Sequence, residues 1–243
     1  MTRVAIIAAL ADELEPLVRG WPRESRGGVD LWSMRRADGE WLAACAGIGV
    51  VAASRAFAEV ERDGAVDLLV SAGWAGALSG EFAIGRAYRV SEVVDANTGE
   101  RFKSATPSGT CLLATSRRVA DRAEKLRLAA ELGAELVDME AAGVARLAAA
   151  RGVPFFCVKG VSDGPSDRLP DFNAFISAGG GFETARFVLF AIIRPWLWPS
   201  LARLGRNGGK AARSIGEAVR EILEQWDGTV KRTGHTGAKP GGE

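Results

Sequence analysis

The chain has 243 residues, 47% of them hydrophobic, enough for a packed core in one large domain or two small ones. Its formal net charge of +1 creates no global field for nucleic acid or an anionic surface. The only histidine, His235, sits in a Gly-rich tail, which removes His-metal clusters and any Ser-His-Asp mechanism.

Residues 3–9 form a continuous apolar run, as in a strand buried on both faces. The pair Asp12-Glu13 follows at once, so the run is too short for a signal peptide. Residues 29–36 and 40–46 predict a hairpin turned through Ala37-Asp38-Gly39. Residues 50–63 have helical spacing and 66–72 predict another buried strand. Strands are expected at 84–94 and 111–115, and an amphipathic helix over 118–133 ends in Gly133. A short strand then gives way at Asp138-Met139-Glu140 to an Ala-rich helix over 141–151. The strand at 155–159 leads into the turn-like run Ser162-Asp163-Gly164-Pro165-Ser166-Asp167.

Past Phe182 the composition shifts. Residues 187–193 are apolar all round, followed by Arg194-Pro195-Trp196-Leu197-Trp198-Pro199. A last helix is predicted from about Lys210, with Ile215, Val219, Ile222, Leu223 and Trp226 on one face. The expected organisation is a catalytic domain over 1–193, a helical extension over 194–226 and a disordered tail over 227–243. No stretch reaches the ~18 uninterrupted apolar residues of a membrane span. Cys45, Cys111 and Cys157 are widely spaced in apolar runs and read as reduced core thiols of a cytoplasmic protein.

Strands alternating with helices predict an α/β domain with a mainly parallel sheet, whose ligands bind outside the carboxyl ends of the strands. Four such ends carry chemistry: Asp12-Glu13, Gly73-Trp74-Ala75-Gly76, Asp138-Met139-Glu140 and Ser162-Asp163. Carboxylates placed there can grip a sugar's hydroxyls and protonate a leaving base. An acidic pair at a helix start is also an ordinary cap, and Ser-Asp-Gly-Pro an ordinary turn. Gly47-Ile48-Gly49-Val50-Val51-Ala52 matches the loose dinucleotide pattern G-x-G-x-x-A, but no acidic residue ends the next strand, so a tight strand-to-helix turn explains it better.

These pieces, with Val137-Asp138-Met139-Glu140-Ala141 and Val158-Lys159-Gly160-Val161-Ser162-Asp163 the most specific, resemble the purine nucleoside phosphorylase/nucleosidase superfamily, above all its methylthioadenosine/S-adenosylhomocysteine nucleosidases. The resemblance implies a three-layer α/β/α sandwich around a twisted mixed sheet, usually in a homo-oligomer such as a dimer. It implies a small nucleoside as substrate, no nucleic acid, and no cofactor or metal. By the same resemblance Glu13 deprotonates the attacking water, Met139 packs on the ribose and Glu140 binds its hydroxyls. Asp163 protonates N7 of adenine, with Ser162 and Gly73 nearby. Independently of the resemblance, the Gly73-Trp74-Ala75-Gly76 run reads either as a plain turn or as a place where Trp74 or its backbone lies beside a flat aromatic base. Three departures stand out: Trp74 replaces a small polar residue, Lys159 an Arg, and the segment between Asp95 and Leu112 is short.

Phosphorolysis is the rival to hydrolysis, though Glu13 and Ser71 stand where phosphate would need donors. A catalytically idle nucleoside-binding protein is the alternative of another class. The part from about Arg186 onward resembles hopanoid-associated phosphorylases, which implies peripheral contact with the inner face of a membrane or an adenosylated lipid substrate. Packing of that helix on the domain or across a dimer is the other reading.

Overall fold

The computed structural model describes residues 2–167, 169–177 and 179–226; the expected disordered tail, with His235, lies outside them. One mixed sheet contains β1 (Thr2–Ala8), β2 (Arg23–Arg26), β3 (Val29–Arg35), β4 (Gly39–Cys45) and β5 (Leu68–Ala77). It continues through β6 (Ala87–Asp95), β7 (Arg101–Lys103), β8 (Cys111–Thr115), β9 (Leu136–Asp138) and β10 (Phe155–Asp163). The helices are α1 (Ala11–Val18), α2 (Val50–Glu61), α3 (Arg122–Leu132), α4 (Ala141–Arg151), α5 (Thr184–Ile192) and α6 (Trp198–Gln225).

β1 is central, parallel to β4 on one side and β5 on the other. β5 also pairs with β10 in parallel and β9 antiparallel, while β10 reaches β6, β6 reaches β8 and β8 reaches β9. These five strands close into a ring, and β1, β4, β3 and β2 extend from it as an open sheet. The period of two along β1 divides the core. Ala5 and Ile7 face Phe57, Val60 and Ala148 of α2 and α4, whereas Val4, Ile6 and Ala8 face Leu14 and Leu17 of α1 and Ile215 and Val219 of α6. The result is the α/β/α layering expected. The three cysteines are buried and unpaired.

Two strands run further than the sequence suggests. β5 continues beyond Ala72 to Ala77 and β10 beyond Lys159 to Asp163, because each is the other's partner: Lys159 lies opposite Gly73, Gly160 opposite Trp74 and Asp163 opposite Gly76. The Gly73–Gly76 run and Ser162-Asp163 are therefore sheet and not turns. Ile84 lies outside β6, which begins at Ala87. Two edge segments, β2 and β7, are too charged to announce themselves (Arg-Glu-Ser-Arg and Arg-Phe-Lys), and charge is common on exposed sheet edges.

The last helix starts at Trp198, well before the predicted Lys210. Its first half holds Gly205, Gly208 and Gly209, each unfavourable in a helix by about 0.8–1.0 kcal/mol, which hides it from propensity. Its second half is core: Ala211, Ile215, Val219 and Ile222 are fully buried. The Arg220 guanidinium also donates to the Pro16 and Leu17 carbonyls (2.6 and 2.9 Å), serving the open end of α1.

Candidate active site

The carboxyl ends of β1, β5, β9 and β10 surround a cavity of about 160 Å³. Glu13, Trp74, Met139, Glu140, Ser162 and Asp163 all line it, so the structure brings together six of the seven residues singled out from sequence. Gly73, the seventh, stands behind Glu13. With φ at +149°, a Cβ there would lie 3.0 Å from Glu13 Oε1, so the glycine makes room for that carboxylate.

Glu13 enters from the first turn of α1 and is buried. Its Oε2 accepts the backbone N–H groups of Ala9 (2.8 Å) and Leu10 (2.9 Å), and its Oε1 that of Trp74 (2.7 Å). A carboxylate has about four lone-pair sites, so one remains for a water or hydroxyl. Burial pushes the Glu13 carboxyl above the ordinary range, against the pull of those amides and of Lys159.

Glu140 ends the acidic triplet just ahead of α4. Its Oε1 accepts from Gly49 N–H at 2.6 Å, so in the Gly47-Ile48-Gly49 turn Gly49 serves a carboxylate, while Gly47 N–H donates to the Ala9 carbonyl at 3.0 Å. Burial, reinforced by the Asp138 charge, pushes the Glu140 carboxyl up to about 8. Asp138 has a different job. Thr115 Oγ1 (2.7 Å), Ala141 N–H (2.9 Å) and Lys159 Nζ (2.8 Å) all donate to it, fixing the start of α4. The Lys159 ammonium is buried and held above its ordinary range: desolvation, the largest single effect, opposes this, but the charges around it, Asp138 foremost, together outweigh it.

At the other end of the cavity β10 carries a bulge between Val161 and Asp163. A bulge re-aims side chains, which lets the adjacent Ser162 and Asp163 face one space. Ser162 Oγ donates to Asp163 Oδ1 at 2.7 Å. The other oxygen, Oδ2, forms an ion pair with Lys125 of α3, whose Nζ also donates to the Gly164 carbonyl at 2.7 Å. Lys125 lines the cavity and is buried.

Sequence reasoning misses Lys125, since lysine in an amphipathic helix normally belongs to the solvated face. One signal was present: Lys125 shares a helical face with Leu128, the other buried residue of α3. The start of that helix also differs from the prediction. Asp121 caps it by accepting Glu124 N–H at 2.9 Å, so 118–120 stay outside the helix and line the cavity. Asn173 clamps this stretch, accepting Val119 N–H (2.8 Å) and donating to Val119 O (3.1 Å).

Trp74 does not present a free ring. Its indole N–H donates to Gly208 O of α6 at 3.1 Å, and a Cβ on Gly208 would come within 3.0 Å of the ring. A larger cavity of about 800 Å³ shares Ile48, Arg118 and Met139 with the first and reaches Asp95, Arg146 and Ser177.

Residues 3–108 and 101–180 match the sequence pattern of the phosphorylase superfamily. The chain belongs to the phosphorylase superfamily. Solved structures carry the superfamily fold at low identity. The Helicobacter pylori 5′-methylthioadenosine/S-adenosyl homocysteine nucleosidase superposes with a TM-score of 0.69 at 15% identity, covering 93% of this chain and 99% of that one. Futalosine hydrolase of the same organism gives 0.69 at 16% identity, covering 93% and 98%. The Arabidopsis thaliana 5′-methylthioadenosine nucleosidase gives 0.71 at 17% identity, covering 95% and 97%. No curated protein sequence matches the chain.

Proposed function

We propose that this phosphorylase-superfamily protein is a nucleoside N-ribosyl hydrolase that releases adenine from an adenine nucleoside. The observation that carries the reading is the convergence of Glu13, Glu140 and Asp163 on one small cavity. Breaking the C1′–N9 bond passes through an oxocarbenium-like ribosyl, for which glycoside hydrolysis uses one group on the leaving atom and one carboxylate on the water. Glu13, raised by burial and with one lone-pair site open, is suited to take the proton of the attacking water. Glu140 accepts from the ribose hydroxyls beside Met139, and the Asp163 end receives the base. Trp74 closes the wall between them.

Water is favoured over phosphate because Glu13 faces the cavity from the end of β1, and a carboxylate there repels an anion. Release of adenine and free sugar from methylthioadenosine in phosphate-free buffer is the expected result. Glu13→Gln should slow it by about 10²–10⁴-fold. Strict dependence on phosphate, or a wild type inert towards adenosine, methylthioadenosine and adenosylhomocysteine alike, rejects the reading.

A lipid on the far side of the ribose is supported by one observation. Leu189, Ile192, Ile193, Trp196 and Trp198 are 54–69% exposed along one short stretch that also carries Arg194. No helix among the described residues is long and apolar enough to cross a membrane, so contact would be interfacial. Full-length protein should float with anionic liposomes and Ile193→Ser/Trp196→Ser should not; equal behaviour rejects this part.

A further inference from the structure

The Lys125–Asp163 pair is an expensive feature. Lysine is almost never fully buried unless paired, and a buried ion pair adds little stability over apolar residues of similar volume. Yet the fold is built around it. β5 leaves the space empty at Gly76, where a Cβ would lie 3.1 Å from both Lys125 Cε and Asp163 Oδ2. Both side chains line the cavity, one from α3 and the other from the end of β10.

An ammonium has three protons. One goes to Asp163 and one to the Gly164 carbonyl, which leaves a third. Asp163 takes the Ser162 hydroxyl and the Lys125 ammonium, one on each oxygen, and each oxygen retains accepting capacity. The pair therefore offers a transferable proton and an acceptor side by side. Adenine presents the complement along its N7 edge, an acceptor at N7 beside the N6 amino donor, whereas a 6-oxopurine presents two acceptors.

We propose that Lys125 is the acid of this site, delivering a proton to N7 of adenine while Asp163 holds the ammonium and accepts from the exocyclic amine. This rests on the hydrolase reading above. As the C1′–N9 bond breaks, its electron pair passes to the purine ring, which becomes basic enough to take a proton from the ammonium at N7. The water oxygen bonds to C1′ and its proton goes to Glu13. Solvent then reprotonates Lys125 and removes the proton from Glu13, so the net reaction consumes one water.

The test uses the full chain with two substrates: methylthioadenosine, and 4-nitrophenyl β-D-ribofuranoside, whose leaving group departs without a proton. Lys125→Arg keeps a positive charge on Asp163 but cannot give up a proton in a protein. Lys125→Met removes both. Each should lower kcat on methylthioadenosine by about 10²–10⁴-fold and lower turnover of the nitrophenyl riboside far less. Wild type should also release adenine from adenosine faster than hypoxanthine from inosine. Full activity of folded Lys125→Arg on methylthioadenosine overturns the proposal, since Lys125 would then be only a counter-charge. An equal loss on both substrates overturns it too, as a structural effect. A wild type that cleaves neither substrate overturns the hydrolase reading itself.

Discussion

The two aspartates in the cavity wall sit on buried lysines, and the two glutamates sit on backbone amides. Asp138 is held by Lys159 and Asp163 by Lys125, whereas Glu13 rests on three N–H groups and Glu140 chiefly on that of Gly49. A full counter-charge fixes where a negative charge stays. Amide dipoles orient a carboxylate while leaving much of its desolvation uncompensated, and both glutamates are accordingly pushed upward by burial. The site thus holds two carboxylates in ion pairs with lysine, beside two that burial makes readier to take up a proton. That division suits a reaction needing a base at one end and a proton-bearing ion pair at the other.

The largest effect on stability should come from breaking a lysine-held pair. Lys159→Met leaves Asp138 buried with only the Thr115 hydroxyl and the Ala141 amide, and should cost about 3–5 kcal/mol. The double variant Lys159→Met/Asp138→Asn removes both charges and should recover much of that loss. Urea unfolding of the two proteins measures it. A single variant as stable as wild type would mean that the lysine is not what fixes the aspartate.

This contrast is only half legible in the sequence. Residues of β1, the β3–β4 hairpin and α2 declare themselves by period and turn chemistry, and Glu13 and Glu140 by following a strand. Asp163 is recognisable as an acid after an apolar run, but its place inside β10 is not, since Ser-Asp-Gly-Pro has turn composition while the strand is held by its ladder with β5. The ion pairs are harder still. Lys125 and Asp163 lie 38 residues apart, and no local pattern tells a lysine on a helix that its head will be buried. The start of α6 is hidden for a local reason, its glycines, overridden by packing in the half that follows.

A smaller effect separates two glycines of β5. At Gly73 a Cβ meets the Glu13 carboxylate at 3.0 Å, and the φ of +149° is hard for any other residue. At Gly76, whose φ lies outside the left-handed range, it meets Lys125 Cε and Asp163 Oδ2, both at 3.1 Å, and the flexible lysine stem can give way. Gly73→Ala should therefore cost about 1–3 kcal/mol and depress base release, by overpacking against a carboxylate that its amides hold in place. Gly76→Ala should cost less. Thermal unfolding and single-turnover adenine release on both variants rank them, and the reverse order would show that the lysine-held end is the more rigid one.

A pH-dependent effect tests the amide-held side directly. Glu140 is pushed from 4.5 up to about 8 in the folded protein, so between those pH values the native state keeps a proton that the unfolded chain has released. Native stability then falls as pH rises through that window and levels off above it. Glu140→Gln cannot titrate, and its amide oxygen still accepts from Gly49. The variant should thus gain stability relative to wild type as pH rises from 4.5 to about 8, with the difference constant beyond. Glu13, raised in the same direction, leaves a residual slope in both proteins. Melting temperatures across the window decide it. Parallel curves would mean that Glu140 is ionised throughout, and that backbone amides hold a buried charge as firmly as the lysines do.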